Sequence, residues 1–272
     1  MTRKLVYRAA LSCFGVAFAA GAGAEAPPVP FKRTNVHFET NASACDMGIQ
    51  IVFDTDGVTQ GAVENPNDRV VYSFGTTRGM EETHDQTEGF QERVEPPIVE
   101  LENALGCEPS SDAISLGEML NAWPAGTYEF EGTSGGTEFE GAADLTHKIP
   151  AGPVITAPLD GAIVAHDTAL TIRWRKVTAP ILPSLGPVSI AGYHVVVVDV
   201  TVSVLPPGKL KTAFDADVSS NETSIAVPRQ FLEPNRIYEF EVLATERGGN
   251  QTITEGGVVC TPPILAEDCA KP

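Results

Sequence analysis

Two short acidic stretches hold the residue types that bind hard cations. The first is Asp54-Thr-Asp56-Gly57. A twelve-residue calcium loop starting at Asp54 would need an oxygen ligand at its fifth position, Gly at its sixth and Glu at its twelfth. The chain puts Val58, Thr59 and Asn65 there, so that loop type is excluded. Asp-Gly favours tight turns, and the expectation is a turn after the apolar run Ile49–Phe53. The second stretch, residues 81–88, gathers Glu82, His84 and Asp85 with further carboxylates. One His with several carboxylates is a workable donor set, but a charge run in a loop is ordinarily solvated. Asp54, Asp56, Glu82, His84 and Asp85 are therefore the weak metal candidates. No cofactor is expected, and a loose calcium site is the one possibility kept open.

Other chemistries lack their residues. His37, His147, His166 and His194 show no H-E-x-x-H spacing. No G-x-S-x-G elbow and no Gly-rich phosphate loop with Lys occurs. Paired catalytic carboxylates need a known separation, which a sequence does not supply. No catalytic residue is assigned. Asn41, Asn221 and Asn250 begin N-x-S/T sequons, which matter only in a glycosylating host.

The chain of 272 residues has a formal net charge of −18. Residues 25–150 hold 23 carboxylates against 6 Lys and Arg, and residues 151–272 hold 13 against 9. Such a field repels nucleic acid and anionic membrane surfaces. The start reads as a signal peptide over residues 1–24. Arg3, Lys4 and Arg8 precede a short apolar run, and Ala22-Gly23-Ala24 is a small-x-small cleavage site. An exported chain is expected, periplasmic or secreted, with no membrane span. Cys45, Cys107, Cys260 and Cys269 then read as two disulfides. Three connectivities are possible, and Cys45–Cys107 with Cys260–Cys269 is favoured because each pair lies within one region.

The elements that must position these residues are mostly strands. After a Pro-rich extended leader at 25–34, the first half reads as an acidic β-rich domain over 35–147 with one or two short helices. One helix follows Pro96-Pro97 and stops at Gly106; a second is capped by Ser111 or Asp112, with Leu116, Met119 and Leu120 inward. Residues 76–90 read as a polar loop. Tyr128 and Phe130 alternate with Glu129 and Glu131 before a Gly-rich turn, which predicts a hairpin with one wet face. Residues 148–152 read as a Pro/Gly linker.

From residue 153 short runs separated by turns predict a β-sandwich. Leu170, Ile172 and Trp174 share one face, as do Tyr238, Phe240 and Val242. Leu232-x-Pro234-x-x-x-Tyr238 has the form of a corner: the Pro fixes the turn, and a buried Tyr returns its hydroxyl to nearby backbone. With Trp174, Tyr193 in "GYHVVV" and "LEPNRIYEFEVLATERGGNQT", residues 153–259 resemble a fibronectin type III domain. The resemblance implies spacing, adhesion or protein contact and no catalysis. The segment between Trp174 and Tyr193 is longer than that family usually has. Residues 260–272 form a disulfide-pinned tail. "ETNASACDMGIQIVFD", "WPAGTYEFEG" and "LTHKIPAGPVI" resemble the first region of exported bacterial proteins of unknown function that carry such a domain.

The sequence thus leads to a mostly β, two-domain, exported and non-enzymatic protein, an interaction or adhesion-type module whose partner is a protein or a glycan. The alternatives are a calcium-stabilised carbohydrate-binding module with an exposed aromatic platform, and a hydrolase with two carboxylates about 5–10 Å apart in a cleft.

Overall fold

Alternating apolar residues become strands through most of the chain. The computed structural model describes residues 26–77, 85–92, 95–201 and 212–270. Glu82 and His84 lie outside the described residues. In the first half, β1 (Val29–Pro30), β2 (Arg33–Asn41), β3 (Asp46–Val58), β4 (Gln60–Asn65), β5 (Arg69–Gly75) and β6 (Gln86–Glu92) precede two helices, α1 (Val99–Leu105) and α2 (Leu116–Ala122). β7 (Gly126–Ser134) and β8 (Thr137–Leu145) close it. A five-stranded sheet runs β1-β8-β7-β4-β5. Its inner face, with Val63, Tyr128, Phe130 and Phe139, forms one core with Val36, Phe38, Met47, Ile49, Ile51 and Phe53 of β2 and β3.

Several local expectations need correction. Asp54–Gly57 is not a tight turn: β3 continues to Val58. Its register shifts against β6 between Asp54 and Val58, and Gly57 at φ 130° takes up the irregularity. Thr55 is buried here, so the chain gains more by staying in the sheet than by turning. The polar loop contains β6, whose composition is poor for a strand. It is held by pairing with β3, where the Phe53 ring lies over Gly89. α2 is capped by Ser115, not by Ser111 or Asp112. Glu118 N donates to Ser115 Oγ at 3.2 Å, and Ser115 N donates to Glu118 Oε2 at 2.9 Å. This is a capping box, Ser-x-x-Glu. The extended leader packs onto the core: Phe31 meets Phe53, Phe130 and Phe139 edge-on at 5.9–6.3 Å.

In the second half, β9 (Ile155–Ala157), β11 (Leu170–Trp174) and β14 (Ser224–Val227) form a three-stranded sheet. Opposite it run β13 (Ala213–Ser219), β12 (Ile190–Asp199), β15 (Ile237–Glu246) and β16 (Gln251–Cys260), with the short β10 (Ala162–Ile163) on β16. Trp174, Tyr193, Tyr238, Phe240 and Val242 are buried between the two sheets. Tyr193 Oη accepts from Val177 N at 2.8 Å. Tyr238 Oη accepts from Glu233 N at 2.7 Å and donates to Phe231 O at 3.3 Å, while Leu232 closes the core beneath and Pro234 leads into Asn235 at φ 60°. Tyr238→Phe is expected to cost about 1–2 kcal/mol by orphaning the Glu233 amide. Equal denaturant midpoints for the two chains would show that the corner hydroxyl is dispensable.

The halves share a sheet. β16 pairs with β2 in parallel, Gln251–Ile253 against Glu39–Asn41, so the order β13-β12-β15-β16-β2-β3-β6 crosses from one half to the other. Asn250 is fully buried beside this pairing. Its Oδ1 accepts from Phe38 N at 2.9 Å, and its Nδ2 donates to Thr146 O at 2.8 Å and Lys148 O at 3.1 Å. The Pro/Gly segment at 148–152 is packed into the seam. Ile149 is buried, its carbonyl accepts from Ile181 N, and the Pro150 carbonyl accepts from Thr252 Oγ1. The long segment after Trp174 has a structural use here: Ile181 and Leu182 enter the first-half core. Cys45–Cys107 ties the β2–β3 corner to the residue after α1's Gly106 cap, and Cys260–Cys269 pins the tail to the end of β16.

Candidate functional site

Asp54, Asp56 and Asp85 are not gathered around a common centre. Asp56 pairs with Lys32 at 2.5 Å. Asp54 sits opposite Arg33 and Glu88 in the ladder. Asp85 Oδ2 accepts from Ser134 Oγ at 2.6 Å. Carboxylates concentrate elsewhere, on two sheet faces that no contiguous motif marks.

The first is the outer face of the five-stranded sheet. Strand alternation buries Tyr128 and Phe130 and therefore turns Glu129 and Glu131 outward. The register sets Glu131 directly opposite Glu140 on one side and Ala62 on the other, with Ser73 next in the row. One row along, Glu129 faces Glu64. Glu138 and Asp144 extend the same face of β8. Burial against its neighbours and the charges of Glu64, Glu129, Glu140 and Glu138 raise the Glu131 carboxyl above the ordinary Glu value. Like charges directly opposite across a sheet are destabilising. The small residues between them leave a depression of about 490 Å³ floored by Gly61, Ala62 and Gly132 and rimmed by Glu131, Glu138 and Glu140.

The second lies on the shared sheet, at the seam. Glu39 on β2, Glu92 on β6 and Glu95 just beyond β6 bring carboxylate oxygens within 4.8 Å of one another. Asp46 on β3 is a charged neighbour of Glu95. Glu39 accepts from Gln251 Nε2, and Gln50 Nε2 donates to Glu92 Oε1 at 3.3 Å. Burial, then the charges of Asp46, Glu39 and Glu92, push the Glu95 carboxyl up to about 8. Asp46 and Glu39 are also raised, chiefly by burial. His37, next along β2, is held neutral, its pKa lowered to about 4 mainly by burial.

Two aromatic residues bear on glycan chemistry. Trp123 is buried and stacked on Tyr128 at 6.3 Å, so it is no surface platform. Phe90 is 60% exposed and lies two residues before Glu92 on β6. His147 Nε2 lies 2.9 Å from Trp123 O, and its ring lies 6.0 Å from that of Phe38, both within the first half.

Among solved structures, the chain is similar to the FN1–FN3 domains of chicken CNTN1, with 12% identity over 85% of this chain and 63% of that one, at a TM-score of 0.30. A structure titled as a myokine matches 42% of this chain and 98% of its own at 19% identity, TM-score 0.27. Titin domains A168–A170 match 82% and 60% at 13% identity, TM-score 0.24. No protein-family model matches the chain, and no curated protein does. The class is a mostly β protein with a distant structural likeness to fibronectin type III proteins.

Proposed function

We propose that this is an exported, non-catalytic interaction module whose acidic five-stranded face docks a cationic surface of a protein partner. The carrying observation is the pair of like-charge rows, Glu140–Glu131 and Glu129–Glu64, around a shallow depression. Among the described residues the register brings no Lys or Arg into those rows. A sheet accepts such repulsion at a cost in its own stability, and a basic partner relieves it while gaining electrostatic steering. The two disulfides fit an oxidising compartment. Among the described residues no helix is long and apolar enough to cross a membrane.

The test is cross-linking in intact source cells and affinity capture of the tagged mature chain, run beside a Glu131→Lys/Glu140→Lys variant. A partner is expected that the variant recovers at least about tenfold less well, and whose capture weakens as salt rises from low to physiological strength. Equal recovery by the charge-reversed chain removes this face from the binding account. A glycan is the second reading, favoured by exposed Phe90 beside Glu92. It requires that Phe90→Ala abolish binding to a glycan array.

A further inference from the structure

We propose that Asp46 and Glu95 share a single proton and form a pH-released latch that holds residues 95–98 on β3, at the edge of the seam between the halves. The Asp46–Pro97 bridge and the packing of Glu95 over Gly48 put the two side chains on one face as diagonal neighbours, and each acts on the ionisation of the other. Two carboxylates have only acceptors, so a hydrogen bond between them requires that one be protonated. Asp46 Oδ1 and Glu95 Oε1 are both buried, and neither has a hydrogen-bond donor. One proton between them satisfies both atoms at once, where two ionised groups would leave two buried acceptors unpaired and mutually repelling.

The backbone is shaped for this arrangement. Glu95 lies flat over Gly48, where a Cβ would sit 2.5 Å from Glu95 Oε1. Residues after Glu95 are then stitched to β3 and the corner before it. Met47 N donates to Pro96 O at 3.2 Å, Ile98 N donates to Cys45 O at 2.9 Å, and Asp46 bridges Pro97. This stitched segment leads directly into α1, whose end residue Leu105 lines a groove of about 540 Å³ with Ala42, Val154, Leu159 and Ile181, drawn from both halves.

The charged groups around the pair come from every neighbouring strand. Glu39 on β2 and Glu92 on β6 act on Glu95, and Glu255 on β16 acts on Asp46. His37 on β2 stays neutral above about pH 4. All of the carboxylates favour retention of the proton. Because the folded Glu95 pKa lies above its unfolded value, the latch is fully held below about pH 4.5 and is lost as pH rises through about 8.

The experiment is a ¹³C carboxyl NMR titration of the mature chain from pH 4 to 9 in EDTA, with amide exchange followed at residues 95–98. One carboxyl is expected to titrate near 8 rather than near 4.5, to vanish in Glu95→Gln, and to coincide with faster exchange at 95–98. Both Glu95→Gln and Asp46→Asn keep a permanent donor between the two side chains. Either is expected to flatten the fall in melting temperature between pH 6 and 9, so failure of one variant to fold leaves the other decisive. Titration of Glu95 in the ordinary carboxylate range overturns the latch. So does a Glu95 titration that drops sharply on adding calcium to saturation, which would put a cation where the proton is assigned.

Discussion

Asn250→Ala is expected to lower stability by about 3–5 kcal/mol, close to 10 °C in melting temperature for a chain of this size. The substitution strands three groups at once. Phe38 N loses its acceptor, and the Thr146 and Lys148 carbonyls lose their donor, at a position with no solvent exposure. Each buried orphan costs about 1–3 kcal/mol, well above the net value of an ordinary hydrogen bond. Asn250→Asp should be at least as damaging, since it keeps the acceptor for Phe38 but faces two carbonyl oxygens with a carboxylate. The wild-type chain should melt in one transition by calorimetry, because a shared sheet and shared core couple the halves. A loss below about 1 kcal/mol would mean that water enters the seam and replaces the amide.

The Cys45→Ala/Cys107→Ala double variant should lose about 4 kcal/mol, and Cys260→Ala/Cys269→Ala about 2–3 kcal/mol. The difference follows from closed loops spanning 62 and 9 residues, because a longer loop removes more unfolded-state entropy. The first bridge also fastens the end of α1 to the corner that receives Ile98, so its loss should appear as faster exchange at α1. Urea midpoints of the two double variants give the comparison. Equal losses would show that native-state contacts, and not chain entropy, set the value of these bridges.

The legible parts of the fold were those whose cause is local. Trp174, Tyr193 and Tyr238 stand in alternating runs, and Leu232-x-Pro234-x-x-x-Tyr238 contains its own corner. The Gly135-Gly136 turn likewise identifies its hairpin. β6 was illegible because Thr, Glu, Gly and Gln become a strand only with β3 alongside. The cap at Ser115 carries its own signal, Glu118 three residues later, which Ser111 and Asp112 lack. Asn250 read as a sequon when its amide belongs to the interior. The seam carboxylates come from residues 39, 46, 92 and 95, and pairing distances between strands have no signature in a single sequence. Alternation of Glu129 and Glu131 did mark a wet face, but opposing Glu64 and Glu140 needed the register.

The parallel pairing of β2 with β16 has a mechanical consequence. Tension applied at Ala26 enters β2 within a few residues, and tension at Cys269 enters β16 through its bridge to Cys260. Two parallel strands pulled from opposite ends slide along each other, so the Gln251–Ile253 contacts with Glu39–Asn41 are loaded together and not peeled one by one. The shortest load path therefore crosses three residue pairs, beside the Asn250 bonds and the Ile181 and Leu182 side chains that also span the seam. Stretched along this path, the molecule would yield at the seam, and the first-half core would lose Ile181 and Leu182 as it does.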